Sequence, residues 1–150
     1  MKPSIRFQLL RACLAALGAV ACVIGFSGFV FGTKAIAATE WLYEQFAATT
    51  YPRTIPGLAT FDSEFRFYEA FWFSYGVALN LVAYRLEHRL RYVVPLMLVF
   101  FVGGIGRLIS ILVVGFPHPV FVLLAIPEIL LPVIMIALWY GLRNQVASEP

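Results

Sequence analysis

The sequence predicts an all-α integral membrane protein. It reads as a four-helix bundle with N- and C-termini inside and an outward-facing segment, 33–64, that contains a short interfacial helix. Three observations predict this. Of 150 residues, 61% are hydrophobic and 13% charged, whereas soluble domains carry about 25% charged residues. The 14 Phe, 7 Tyr and 3 Trp, with a mean hydropathy of +0.86, give more apolar surface than one soluble core of this length can hide. Four apolar runs, at about 12–32, 65–84, 92–114 and 120–140, each come close to the ~20 residues that cross a ~30 Å hydrocarbon layer. Lipid offers no hydrogen bonds to the backbone, so open-ended spans must be helical, and alternating barrel strands are absent. The chain reads as a single transmembrane domain over residues 1–150.

The first span follows the basic leader MKPSIRFQLLR. Leader, apolar run and the small residues Ala35-Ile36-Ala37 also fit a cleaved secretory signal. The run is longer than the ~7–15 residues of a signal core, which favours a retained helix. AVAC, ending at Cys22, is a poor lipoprotein site. Cys13 and Cys22 both lie inside this run and read as small packing residues rather than redox or metal groups.

Orientation follows from lysine and arginine. Lys2, Arg6 and Arg11 precede the first span, Arg85, Arg89 and Arg91 separate the second from the third, and Arg143 follows the fourth. The bias places both termini and the RLEHRLR loop in the cytoplasm, and the formal charge of +3 needs no nucleic-acid partner. RLEHRLR could also touch anionic headgroups. Segment 33–64 and the turn GFPHP (115–119) then face outward. Trp41, Leu42, Tyr43 and Phe46 have the spacing of a short helix lying on the membrane surface, which Pro52, Pro56 and Gly57 end.

Charges inside spans are expensive and usually face the bundle interior with a partner. Three stand out: Glu69, Arg107 and Glu128. At 1.5 Å per residue, Arg107 lies about 12 Å from the outer end of the third span and Glu128 about 13 Å into the fourth. A tight turn joins these antiparallel spans, so the two side chains meet at one depth, as an ion pair requires. Glu69 enters at about 6–10 Å, and the five-donor guanidinium fork can reach two carboxylates. Asp62, Glu69, Gly76 and Asn80 share a stripe of the second span. Gly103, Gly106, Arg107 and Ser110 share a face of the third, where small residues let another backbone approach. A polar cleft opening outward is expected, lined by Glu69, Arg107 and Glu128. Asn80 and Ser110 lie below and above, and Asp62, Glu64, Arg66, Tyr68 and His118 stand near the mouth. The bland alternative is that the charges only lock the helices. His118 alone reads as a turn residue, His88 as part of the positive-inside signal, and Pro95, Pro127 and Pro132 as places where a span can bend.

No HExxH, CxxC pair, Walker A or G-x-S-x-G motif occurs, and Gly104-Ile105-Gly106 lies in a membrane helix, not after a strand. No cofactor and no metal site is implied. DSEFRFYEAFWFSYG (62–76), GGIGRLISILVVGFPHP (103–119), Glu128 and Pro132 resemble a bacterial family of small four-span membrane proteins known as a domain of unknown function. More distantly they are similar to DoxX-like membrane proteins. The resemblance covers about residues 60–132 and implies the four-helix topology but no activity. The reading is thus a multi-pass protein of the bacterial inner (cytoplasmic) membrane. Its partners are the lipid bilayer and an amphiphilic small molecule or lipid, held in the cleft around Arg107. The alternative is an accessory or assembly subunit that docks to a membrane-protein partner or to a second copy. A membrane-embedded enzyme or proton-coupled transporter is the third class.

Overall fold

The computed structural model describes residues 4–47 and 58–147. Every regular element among them is helical: α1 (Ile5–Phe31), α2 (Thr33–Ala47), α3 (Leu58–Tyr84), the single turn α4 (Leu86–Arg89), a 3-10 turn at Leu90–Tyr92, α5 (Val93–Val114) and α6 (Pro119–Ala147). Three stretches are long and apolar enough to cross a membrane: Ile5–Phe31, Leu86–Val114 and Pro119–Arg143. α3 is equally long, at 27 residues, but is not among them, because Asp62, Arg66, Glu69 and Asn80 interrupt its apolar surface. It also begins at Leu58, earlier than the expected start near residue 65, so Asp62, Glu64 and Arg66 are helical rather than part of a connecting segment. The expected break at Pro52, Pro56 and Gly57 lies outside the described residues.

The chain divides into two compact units, one comprising Gly18–Ala78 and the other the residues up to Leu17 together with those from Leu79 onward. In the first unit, a seam of small residues on α1 decides the packing. Gly18, Ala21, Gly25, Gly28 and Gly32 recur at steps of three and four, and all are buried. That spacing keeps one stripe of a helix facing a single neighbour. The neighbour is α3, running antiparallel: Gly32 meets Asp62 and Arg66, Gly28 meets Glu69, Gly25 meets the backbone of Phe73, and Gly76 meets Cys22 and Gly18. A Cβ at Gly76 would stand 2.6 Å from the Cys22 amide nitrogen and 2.7 Å from the Gly18 carbonyl oxygen, so the two backbones touch. Small residues allow this approach, and packing rather than hydrophobic exclusion is what holds helices together in lipid. Cys22, a free thiol, points its Sγ at the Phe73 carbonyl, 3.8 Å away.

The junction between α1 and α2 is one residue, Gly32, at φ +59°. Helix ends leave carbonyls and amides unpaired, and here two side chains of α3 take members of both sets. Arg66 Nη1 donates to the carbonyls of Phe29 (2.8 Å) and Val30 (2.9 Å) at the negative end of α1. Asp62 Oδ1 accepts from the Thr33 amide, 2.8 Å, at the positive start of α2. Both placements suit the helix dipoles. Gly32→Ala places a Cβ against Asp62 and Arg66 and forces a left-handed conformation on a residue with a side chain, which alone costs about 1–2 kcal/mol. A denaturant titration in detergent micelles is expected to show at least that loss.

The second unit centres on α5 and α6. Its core contains Leu10, Leu14, Leu79, Leu86, Val93, Met97 and Met135. The turn between the two helices falls at residues 115–118, with Gly115 at φ +109°. His118 begins α6: its Nδ1 accepts from the Val120 amide at 3.4 Å, its carbonyl accepts from Phe121 at 2.9 Å, and Pro119 follows at the first helical position, where a missing N–H does no harm. α6 runs on through Pro127 and Pro132. Neither can donate, so the carbonyls of Leu123 and Glu128 lack their usual partners four residues on. At the other end, Trp139 Nε1 donates to the Leu90 carbonyl, 2.9 Å, and Arg89 Nη1 to the Leu81 carbonyl, 2.6 Å.

The glycine of close approach on α5 is Gly104. A Cβ there would lie 2.8 Å from Ile129 Cδ1 and 3.0 Å from Glu128 Cβ. This corrects the expectation for Gly103 and Gly106, which have nothing within 4 Å. α5 is apolar on nearly every side, so periodicity alone could not say which of three closely spaced glycines turns inward.

Candidate functional site

Arg107 and Glu128 meet across the α5–α6 pair. Arg107 Nε donates to Glu128 Oε2 at 2.6 Å; the Glu128 side chain is 7% exposed and that of Arg107 33%. A short charge-assisted bond of this kind is about twice as strong as a neutral one. Gly104 brings α6 close enough for it, since the atoms it meets include Cβ of Glu128 itself. Beyond Nε, the guanidinium carbon sits 5.9 Å from the centroid of the Phe121 ring, in the first turn of α6. Phe121 in turn stands edge-on to His118, with centroids 6.4 Å apart. The guanidinium is therefore anchored at Glu128 through Nε and lies near Phe121. The two terminal nitrogens make no hydrogen bond among the described residues. Phe121 had not been anticipated as part of the site; its position two residues past Pro119, in the first turn of α6, was the available signal.

The other anticipated residues are described each within its own unit. Ser110 is exposed on α5, and Asn80 is half-buried near the end of α3. Asp62 and Arg66, expected near the mouth of a cleft, pair with each other at 2.8 Å and serve the α1–α2 junction. The hydrogen bond from Arg66, and then that from the Thr33 amide, hold the Asp62 carboxyl below the ordinary carboxylate range. This clasp is thus fully charged at neutral pH, and its contribution is lost only as pH falls through that lowered value. Tyr68 is exposed and packs edge-on against Phe67; the side chain of Glu64 lies outside the described residues. Glu69 belongs to the Gly18–Ala78 unit, where it abuts Gly28, and its carboxyl makes no hydrogen bond or ion pair among the described residues.

One buried carboxylate escaped the sequence reading. Glu44 is 6% exposed on α2, whose Trp41, Leu42 and Phe46 point outward while Tyr43 is half-buried. Apolar side chains outside and an acid inside reverse the soluble pattern and suit a lipid-facing helix.

Three membrane-length apolar helices, with a charge pair between two of them, define the class: a helical membrane protein with ionisable groups inside its spans. Over residues 9–139 the chain matches the family described as a domain of unknown function (DUF4345). It belongs to that family, and the match takes in most of α1, which the sequence resemblance had left out. No curated protein matches it, and no solved structure does.

Proposed function

We propose that this is a four-span protein of the bacterial inner membrane, with both termini cytoplasmic, that holds the polar head of a lipid or other amphiphile at Arg107. One observation carries the reading: a guanidinium fixed through Nε to Glu128 keeps two terminal nitrogens open beside Phe121, between apolar helices. A phosphate, carboxylate or carbonyl oxygen is what such a fork recognises. Exposed Leu112, Val113, Val114 and Phe116 around the turn suit an acyl chain. Ser110, on α5 one turn nearer that end, supplies a second donor. α3 serves as the fourth span, its polar face turned to α1. Orientation is supported by Arg85, Arg91 and Arg143, which lie over the rings of Tyr84, Tyr92 and Trp139. Arginine with aromatic rings is a combination that suits the cytoplasmic headgroup layer.

The test is native mass spectrometry of the protein extracted in mild detergent. The wild type is expected to retain a lipid-sized adduct that Arg107→Leu/Glu128→Leu loses while remaining folded. Retention by that double variant would sink the proposal. A second reading, an accessory subunit, is favoured by one feature: Gly103 and Gly106 leave α5 open to another helix backbone. A stoichiometric protein in the same spectrum would select it.

A further inference from the structure

The carboxyl of Glu69 has no part in the reading above. The residue is 6% exposed, and its Oε2 is enclosed with no hydrogen-bond partner. What encloses it is the backbone of α1 at Gly28, where a Cβ would overlap Cγ and Cδ of Glu69 and stand 2.8 Å from Oε2. The missing side chain of Gly28 is the space the carboxyl occupies.

No charge compensates it. On α1 between Gly18 and Phe31 the only titratable side chain is Cys22, whose Sγ is turned to the Phe73 carbonyl. On α3, Arg66 is one turn away, but its Nε is bonded to Asp62 and its Nη1 to the carbonyls of Phe29 and Val30. Tyr68 is exposed, and Tyr75 stands edge-on to Trp72. Lys34, Glu40, Tyr43 and Glu44 of α2 make no bond to the Glu69 carboxyl. An ionised carboxylate enclosed in this way, with neither cation nor donor, is costly enough that such a group neutralises instead.

We propose that Glu69 is a proton-binding site: a carboxylic acid that keeps its proton at neutral pH in the α1–α3 seam, under Gly28. Release of that proton leaves a charge that needs water or a cation. The backbone contact at Gly28 keeps both away from Oε2, so solvating a charge on that oxygen requires α1 and α3 to part there. Proton occupancy and closure of the seam are therefore coupled.

The full chain in detergent tests this in two ways. Infrared difference spectra between neutral and strongly alkaline pH should contain the C=O band of a protonated carboxyl, and that band should be lost in Glu69→Gln. Glutamine matches the neutral acid in shape, so the variant folds. The apolar reagent N,N′-dicyclohexylcarbodiimide supplies the second test. The carboxyl adds across its C=N bond, the acid proton going to nitrogen, and an acyl shift leaves a stable N-acylurea that keeps every atom of both reactants. Peptide mapping should place this adduct on Glu69 and not on Glu128, which is ion-paired. The infrared band decides: its loss in Glu69→Gln supports the proposal with or without an adduct, and its persistence overturns it.

Discussion

Glu128→Leu is expected to destabilise the protein by about 3 kcal/mol, the low end of what removing one partner of a buried ion pair costs. Arg107→Leu should cost less, about 1.5 kcal/mol, near the worth of a hydrogen bond to a charged group. The asymmetry has a chemical origin. A carboxyl group has a neutral form available to it, as any carboxylic acid does. Without Glu128, the guanidinium cannot shed its charge, and with one-third of its side chain exposed it can only stretch further toward the membrane surface. Replacing both by leucine removes the charge problem altogether and should return stability to within about 1 kcal/mol of wild type. The cycle is therefore strongly non-additive, as it must be for residues in direct contact. Unfolding of the four proteins in mixed detergent micelles measures it; a double variant as weak as Glu128→Leu would show that the pair supports the fold through more than its charges.

Gly25→Ala is the second large effect. The new Cβ would fall on the backbone nitrogen and Cα of Phe73, atoms of a helix that cannot swing aside as a side-chain tip can. α1 and α3 must separate, and about 3 kcal/mol or more is expected, at or above the upper end of ordinary overpacking. Cys22, whose Sγ lies at this seam, should become more reactive toward a maleimide at the same time. Gly103→Ala and Gly106→Ala provide the contrast. Nothing lies within 4 Å of either, so each should gain about 0.5–1 kcal/mol from replacing a helical glycine. Equal losses at all three positions would refute the assignment of the seam to α1.

The parts of this architecture legible in the sequence are those set by long-range composition. Apolar runs mark the helices because the bilayer imposes a length. The Arg107–Glu128 pair could be found because a short turn fixes the register of its two helices, so counting residues from the turn matches their depths. What escaped depends on rotation about a helix axis. Gly104 rather than Gly103 faces α6, and in a helix apolar all round no periodic signal distinguishes them. The seam from Gly18 to Gly32 did have a pattern, but it lay in residue size, not polarity. Asp62 and Arg66 were visible as charges. Their task at the α1–α2 junction was not, because it requires knowing where a different helix ends.

The two prolines of α6 have a mechanical consequence. Glu128 lies between them, on a stretch where two rungs of the hydrogen-bond ladder are missing within six residues. Compliance of that helix is concentrated there, so flexing of α6 is felt first at the acid that anchors Arg107. A load applied at either end of the helix would be delivered to the guanidinium as a tilt, with the short contact riding along instead of snapping.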